Sequence, residues 1–173
     1  MVVVYFILAL ILTVFVVALV APSHYLIERS IIVNQSSEKI FAVLSDLNTQ
    51  IKWNPWMLME PDANFVISGE PGSIGHNLRW QGKKIGTGIL TLANRTINQS
   101  LHFQTQFLKP WKSKADNSWT LFQTGSTTLV TWRNKGDLPF PVARLMAPIF
   151  KKQLNHHFEK GLVNFKIICE ALD

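Results

Sequence analysis

The chain has 173 residues, 47% of them hydrophobic and only 16% charged, with a formal net charge of +6. Its length fits one domain and excludes a large multidomain enzyme or a many-helix transporter, and its apolar content excludes a disordered chain. A single cysteine, Cys169, excludes an internal disulfide framework and a Cys-rich zinc module.

The positive mean hydropathy of +0.15 is concentrated at one end. Residues 1–21 carry no charge at all, and Pro22-Ser23 closes the run. A helix of that length reaches about 30 Å, the thickness of the hydrocarbon layer. Tyr5 near one end suits an interface. No Lys or Arg precedes Arg29, and Leu19-Val20-Ala21 makes a poor cleavage site, so an uncleaved anchor is favoured over a cleaved signal. A buried core helix would carry a polar stripe, which this segment lacks. Residues 22–173 then form the soluble domain and hold all the charge. Arg29 and Lys39, after the helix, orient that domain to the cytoplasmic side. Lys83-Lys84 and Lys151-Lys152 are doublets without a larger basic cluster, so nucleic acid is not a predicted partner.

Tyr25–Asn34 is rich in β-branched and aromatic residues and reads as a strand. Ser36 or Ser37 caps a helix in which Ile40, Phe41, Val43, Leu44 and Leu47 recur at helical spacing. Residues 48–56 form a second short helix stopped by Pro55. Strands follow at Phe65–Ile67, His76–Gln81, Ile85–Ala93, Ser100–Leu108, Ala115–Phe122 and Thr127–Asn134, separated by turns rich in glycine, so the sheet is an antiparallel meander. Apolar residues then recur every three to four positions from Leu145 to Cys169, giving a long amphipathic helix in which Pro148 marks a kink or a fresh start.

This order is α+β, with one long helix available to cover one sheet face. A curved sheet around a straight helix leaves a space between them. Its expected lining is Phe65, Leu78, Trp80, Phe103, Phe107, Trp119, Leu121, Val130 and Trp132 from the sheet, and Met146, Phe150, Leu154 and Phe158 from the helix, with Phe165 farther along. Trp53, Pro55 and Trp56 form either a lid at the mouth or a plug closing one end. Few of these residues ionise, so the expected ligand is lipid-like, aromatic or polycyclic.

The element order resembles the SRPBCC (START-like) superfamily. So do Glu28-Arg29-Ser30-Ile31, Glu38-Lys39-Ile40-Phe41, Lys52-Trp53-Asn54-Pro55-Trp56, Val130-Thr131-Trp132, Leu138-Pro139-Phe140-Pro141 and Phe158-Glu159-Lys160-Gly161-Leu162. The branch it is most similar to is the bacterial polyketide cyclase/dehydrase-like proteins, often preceded by one membrane helix. The resemblance spans about residues 22–171. It implies a helix-grip fold with a hydrophobic cavity between sheet and C-terminal helix. It implies no single reaction, because the superfamily mixes transfer proteins, cyclases, dehydrases, receptors and chaperone activators.

Chemistry in such a cavity needs a proton donor and acceptor poised near neutral pH. His76 lies near a possible mouth, His102 faces solvent, and His157 flanks the helix stripe as either a pocket or a boundary residue. His156 and His157 are adjacent and so cannot share a metal as an i, i+4 pair would. Glu28 and Arg29 face opposite ways, and either could enter the cavity. Cys169 lacks a basic neighbour that would activate it. No metal site, phosphate loop or dinucleotide fingerprint is present, and no cofactor is expected. The expected activity is binding or transfer of a hydrophobic small molecule by a membrane-anchored domain. The alternatives are a cyclase/dehydrase-type enzyme using a cavity His or Glu, and a protein-interaction or chaperone-regulating module.

Overall fold

A computed structural model describes residues 1–172. Helix α1 (Val2–Val20) is exposed along almost its whole length and has a mean hydropathy of 3.1; it is long and apolar enough to cross a membrane. Thr13, the polar side chain in its interior, donates its hydroxyl to the Ala9 carbonyl at 2.8 Å, so that hydrogen bond is made within the helix itself.

The chain then runs β1 (His24–Val33), α2 (Ser37–Ser45), α3 (Leu47–Trp53), α4 (Pro55–Leu58), β2 (Asn64–Ser68), β3 (Asn77–Gln81), β4 (Thr87–Thr96), β5 (Ser100–Lys109), β6 (Ser113–Thr124), β7 (Thr127–Asp137), α5 (Val142–Leu145) and α6 (Ala147–Glu170). Three side-chain caps set the breaks between the first short helices. Ser36 accepts from the Lys39 amide, Asp46 from Asn48, and Asn54 from Trp56, each satisfying a free N–H of a first turn. Pro55 therefore starts α4 at its first turn as well as ending α3. Pro148 acts the same way, as a fresh start near the beginning of α6 rather than a kink within it.

The seven strands form one antiparallel sheet in the order β1-β7-β6-β5-β4-β3-β2. Its concave face grips the C-terminal half of α6, where Phe158, Leu162, Phe165 and Cys169 are buried. The remaining cover comes from α2 and α3, through Ile40, Leu44, Leu47 and Trp53. Register shifts between Thr87 and Gly88 and between Leu92 and Asn94 bend β4. Gly86 has a φ of +68° and closes the β3–β4 turn, a conformation a side chain would strain. Gly88 lies directly beneath the Trp80 indole, in space a Cβ would fill. Gly161 lets α6 approach the sheet, because a Cβ there would stand 3.0 Å from Trp132 and 3.1 Å from Pro55.

The pairing register sorts the loops by end. One end of the sheet carries the exit of α1, the β3–β4 turn, the β5–β6 hairpin and the β7–α5 segment. The other end carries the β4–β5 and β6–β7 turns and the last turn of α6, where the Asn34 amide donates to Glu170 at 2.7 Å.

Candidate functional site

Between the concave sheet and α6 lies a cavity of about 130 Å³. Inward strand positions line it: Tyr25 on β1, Trp80 on β3, Leu90 on β4, Phe103, Thr105 and Phe107 on β5, Asn117 and Trp119 on β6, Trp132 and Asn134 on β7. The turn residue Ile85, then Gln50, Asn54, Trp56 and Met57 from the short helices, and Leu154 and Phe158 from α6 complete it. The floor is aromatic. Trp119 stacks on Trp132 with centroids 4.4 Å apart, and Phe158 lies 4.0 Å from Trp132 on the other side. Tyr25, Trp56, Ile85, Phe107 and Leu154 are partly exposed and form the rim, at the end of the sheet where α1 exits.

Of the residues expected from the sequence to line a cavity, Trp56, Trp80, Phe103, Phe107, Trp119, Trp132, Leu154 and Phe158 meet there. The others do not, for identifiable reasons. Trp53 is fully buried behind the floor, at 5.8 Å from both Trp119 and Trp132 and 5.2 Å from Phe165, which makes it a plug rather than a lid. Leu78, Leu121 and Val130 point inward but lie in the half of the sheet where the helices sit directly on it, so they are solid core. Phe65 pairs with Trp80 on the edge strand β2 and packs against the core from outside the cavity. Met146 is 39% exposed and Phe150 half-buried, because the start of α6 runs past the sheet. His157 lies one face round α6; its ring stacks on Trp56 at 5.0 Å and its Nδ1 donates to the Gln153 carbonyl at 2.8 Å.

His76 is likewise not at the mouth. It is buried at the opposite end, where its Nε2 accepts from the Leu47 amide at 3.2 Å and its Nδ1 donates toward the Ser68 and Gly69 carbonyls at 3.1 Å. It pins the start of α3 to the β2–β3 loop. Arg29, not Glu28, takes the helix-facing side of β1, and its Nε lies 3.2 Å from Glu159 outside the cavity. Glu28 faces the convex surface near Arg133, at 3.9 Å.

The sequence reading missed a set of neutral polar groups in the wall. Asn117 Oδ1 accepts from Trp132 Nε1 at 3.2 Å and from Asn134 Nδ2 at 2.6 Å, while Asn117 Nδ2 donates to Thr105 Oγ1 at 2.8 Å. Asn54 Nδ2 donates to Gln50 Oε1 at 3.2 Å. A legible signal existed: Asn117 precedes Trp119 by two residues and Asn134 follows Trp132 by two, so strand alternation puts both on the inner face.

Tyr25 is the one lining group that titrates in water below the range of arginine, and burial, helped by Asp137, pushes its phenol up to about 12. Burial favours the neutral phenol in the folded state, so its stabilisation is whole below pH 10 and is lost as pH rises toward 12. The absorbance difference between the wild type and Tyr25→Phe should therefore show phenolate forming near pH 12. The wild type should also lose up to about 2 kcal/mol across that interval that the variant does not lose. A difference titration centred near 10 would contradict the burial.

Among the described residues, no group of three or more His, Cys, Asp or Glu side chains is placed to hold a metal ion.

No protein-family model and no curated protein sequence matches the chain. Solved structures do. The Aha1 dimer from Colwellia psychrerythraea superposes with a TM-score of 0.62 at 19% identity, over 85% of this chain and 97% of that one. The di-domain ARO/CYC StfQ from the steffimycin biosynthetic pathway gives 0.65 at 12% identity, over 86% of this chain and 51% of that one. DynU16 of the dynemicin biosynthetic locus gives 0.58 at 13%, over 84% and 47%. At these identities the likeness speaks to architecture alone, and it agrees with the element order: the chain carries an α+β helix-grip fold, a curved antiparallel sheet around a long C-terminal helix.

Proposed function

We propose that the chain is a membrane-anchored protein that binds or transfers a hydrophobic small molecule in the cavity between its sheet and α6. The observation that carries this reading is the cavity itself, walled by aromatic rings and furnished with uncharged hydrogen-bonding groups. That combination is the usual chemistry of a small-molecule site. The size narrows the ligand: an apolar cavity of about 150 Å³ accommodates a benzene ring. The bound part is therefore ring-sized, aromatic or alicyclic, with a neutral polar group for the Asn117 and Gln50 region. A longer alkyl portion would leave through the rim between Phe107 and Leu154.

Proton-transfer catalysis is the weaker reading. Among the described residues no carboxylate, histidine, lysine or arginine lines the cavity, and a phenol near 12 is far from the neutral range that general acid–base work requires. The open cavity likewise favours ligand binding over a purely protein-interacting module. The anchor reading rests on the length and hydropathy of α1 and on its contact with the domain, where Phe15 meets Phe140 edge-on at 5.7 Å. Arg29 and Lys39 orient the domain to the cytoplasm.

The test is a titration of the full chain in nanodiscs with 2-naphthol and with a fluorescent fatty acid, read by tryptophan emission. Saturable quenching is expected in the micromolar range, weakened at least about tenfold in Leu90→Trp, a loss of roughly 1.4 kcal/mol. Absence of saturation by either probe at high micromolar concentration, or identical titration of Leu90→Trp, would reject the reading.

A further inference from the structure

We propose that the end of the domain bearing the cavity rim is a docking surface for an anionic phospholipid bilayer, so that the mouth opens onto lipid rather than water. The proposal rests on the reading of α1 as a membrane anchor. It goes beyond tethering, because a tethered domain could equally hang free in solvent.

Geometry supplies the first argument. The sheet register gathers at one end the exit of α1, the β3–β4 turn, the β5–β6 hairpin and the β7–α5 segment, around the partly exposed rim of the cavity. These loops and the starts of α5 and α6 hold large apolar side chains that stay substantially exposed. Trp111 is 62% exposed, Ile149 56%, Val142 50%, Phe140 43% and Met146 39%. Exposed apolar residues elsewhere include the cross-strand neighbours Ile32, Leu129 and Phe122 on the convex face toward the other end, and Ile74 and Ile97 in its loops, but none of these lines the cavity.

Depth supplies the second. Phe140 packs edge-on against Phe15 of α1 with ring centroids 5.7 Å apart, and Ala18 is wholly buried. Phe15 lies five residues before the end of α1 at Val20, a distance of about 8 Å along the helix axis. A bilayer that holds α1 therefore also holds Phe140 beneath its surface. Arg144 sits with its guanidinium 5.6 Å over the Phe140 ring and its Nε donating to the Leu138 carbonyl at 3.3 Å. That is the posture of a cation reaching from apolar contact toward headgroups.

Charge supplies the third. Lys83 and Lys84 occupy the β3–β4 turn, and Lys109 and Lys112 flank Trp111 in the hairpin; all four are exposed. The nearby acids are mostly engaged. Glu60 accepts from the backbone amides of Lys83, Lys84 and Ile85, and Asp137 lies 2.9 Å from His24; Asp62 alone is free among the described residues at this end. The opposite end carries Glu38, Asp46, Glu70 and Glu170. Each Lys near an anionic leaflet contributes about 1 kcal/mol, so four suffice to hold a domain already tethered.

The experiment uses the full chain with Trp111→Cys, reconstituted in vesicles of phosphatidylcholine with or without phosphatidylglycerol and labelled with an NBD maleimide. Cys169 is buried and its thiol is held up at about 12, so the label enters the introduced site. Asn98→Cys, in the β4–β5 turn at the far end, is the reference. With phosphatidylglycerol, the probe at 111 should be blue-shifted and quenched by doxyl-labelled lipid severalfold more than the probe at 98. Removing phosphatidylglycerol, or combining Lys83→Glu, Lys84→Glu, Lys109→Glu and Lys112→Glu, should bring the two together. Equal quenching at 111 and 98 overturns docking, and quenching at 111 that ignores both lipid charge and the fourfold variant overturns the assignment to anionic lipid. Carbonate extraction separates the two levels: a chain that extracts rejects the anchor and docking together, whereas a retained chain with an aqueous 111 probe rejects docking alone. Neither outcome depends on whether the cavity holds a ligand.

Discussion

Trp53→Ala should lower the stability of the domain by about 3–5 kcal/mol, the cost of emptying a large core site, and reduce Tm by roughly 10–15 °C. Trp53 has no exposed surface, and its ring meets Trp119, Trp132 and Phe165 edge-on, so its removal takes one face of contact from three other large rings. Its indole N–H has no hydrogen-bond partner among the described residues, so the expected loss is one of packing. Trp56, three residues on, should behave oppositely. It sits on the rim, with His157 stacked on its outer side and Phe158 edge-on at 5.7 Å. Trp56→Ala should cost about 1–2 kcal/mol, as partial exposure halves what burial contributes, and should weaken 2-naphthol binding severalfold. Urea denaturation and the naphthol titration on both variants separate the roles. If Trp53→Ala kept its Tm and lost binding, Trp53 would be a gate and the plug assignment would fall.

Those two tryptophans mark the boundary of what the sequence makes legible. Strand alternation and helical spacing report which face a side chain takes, and on that basis the meander, the gripping helix and the inward set are all readable. They do not report how far the opposing surface stands away. Leu78 and Trp80 are both inward on β3, yet one is core and the other wall. Trp80 lies opposite Gly88, beside the register shift of β4 at the end where α1 exits, and Leu78 lies farther toward the other end, under the helices. Alternation also says nothing of termini that overrun the sheet. Met146 and Phe150 satisfy the helical stripe as well as Leu154 does, but they sit at the start of α6, where Met146 is exposed and Phe150 only half-buried, and neither lines the cavity. The polar wall was missed for a different reason: expectation of an apolar lining selected the apolar members of each inward row and passed over Asn117, Asn134 and Thr105 among them.

That wall carries the second large effect. Asn117→Leu keeps the branching of the side chain while removing the acceptor shared by Trp132 Nε1 and Asn134 Nδ2 and the donor to Thr105. Two buried donors are left without partners at about 1–3 kcal/mol each, so the variant should lose about 2–6 kcal/mol in urea denaturation. Replacing both amides should cost less than the two single losses added together, because Asn117→Leu/Asn134→Leu removes a donor along with its acceptor; a coupling of about 1–2 kcal/mol is expected from the double-mutant cycle. Ligand binding distinguishes a merely structural network from one that reads the ligand. A network that pairs with a polar group on the ligand should make Asn117→Leu weaken 2-naphthol about tenfold while naphthalene is unchanged or tighter, since only the hydroxyl-bearing ring loses about 1.4 kcal/mol of pairing. Equal weakening of both would mean that the amides hold the rings of the floor in place and leave recognition to shape. Selective loss of the naphthol would identify Asn117 as the residue that lets an aromatic cavity choose between hydrocarbons and their hydroxylated relatives.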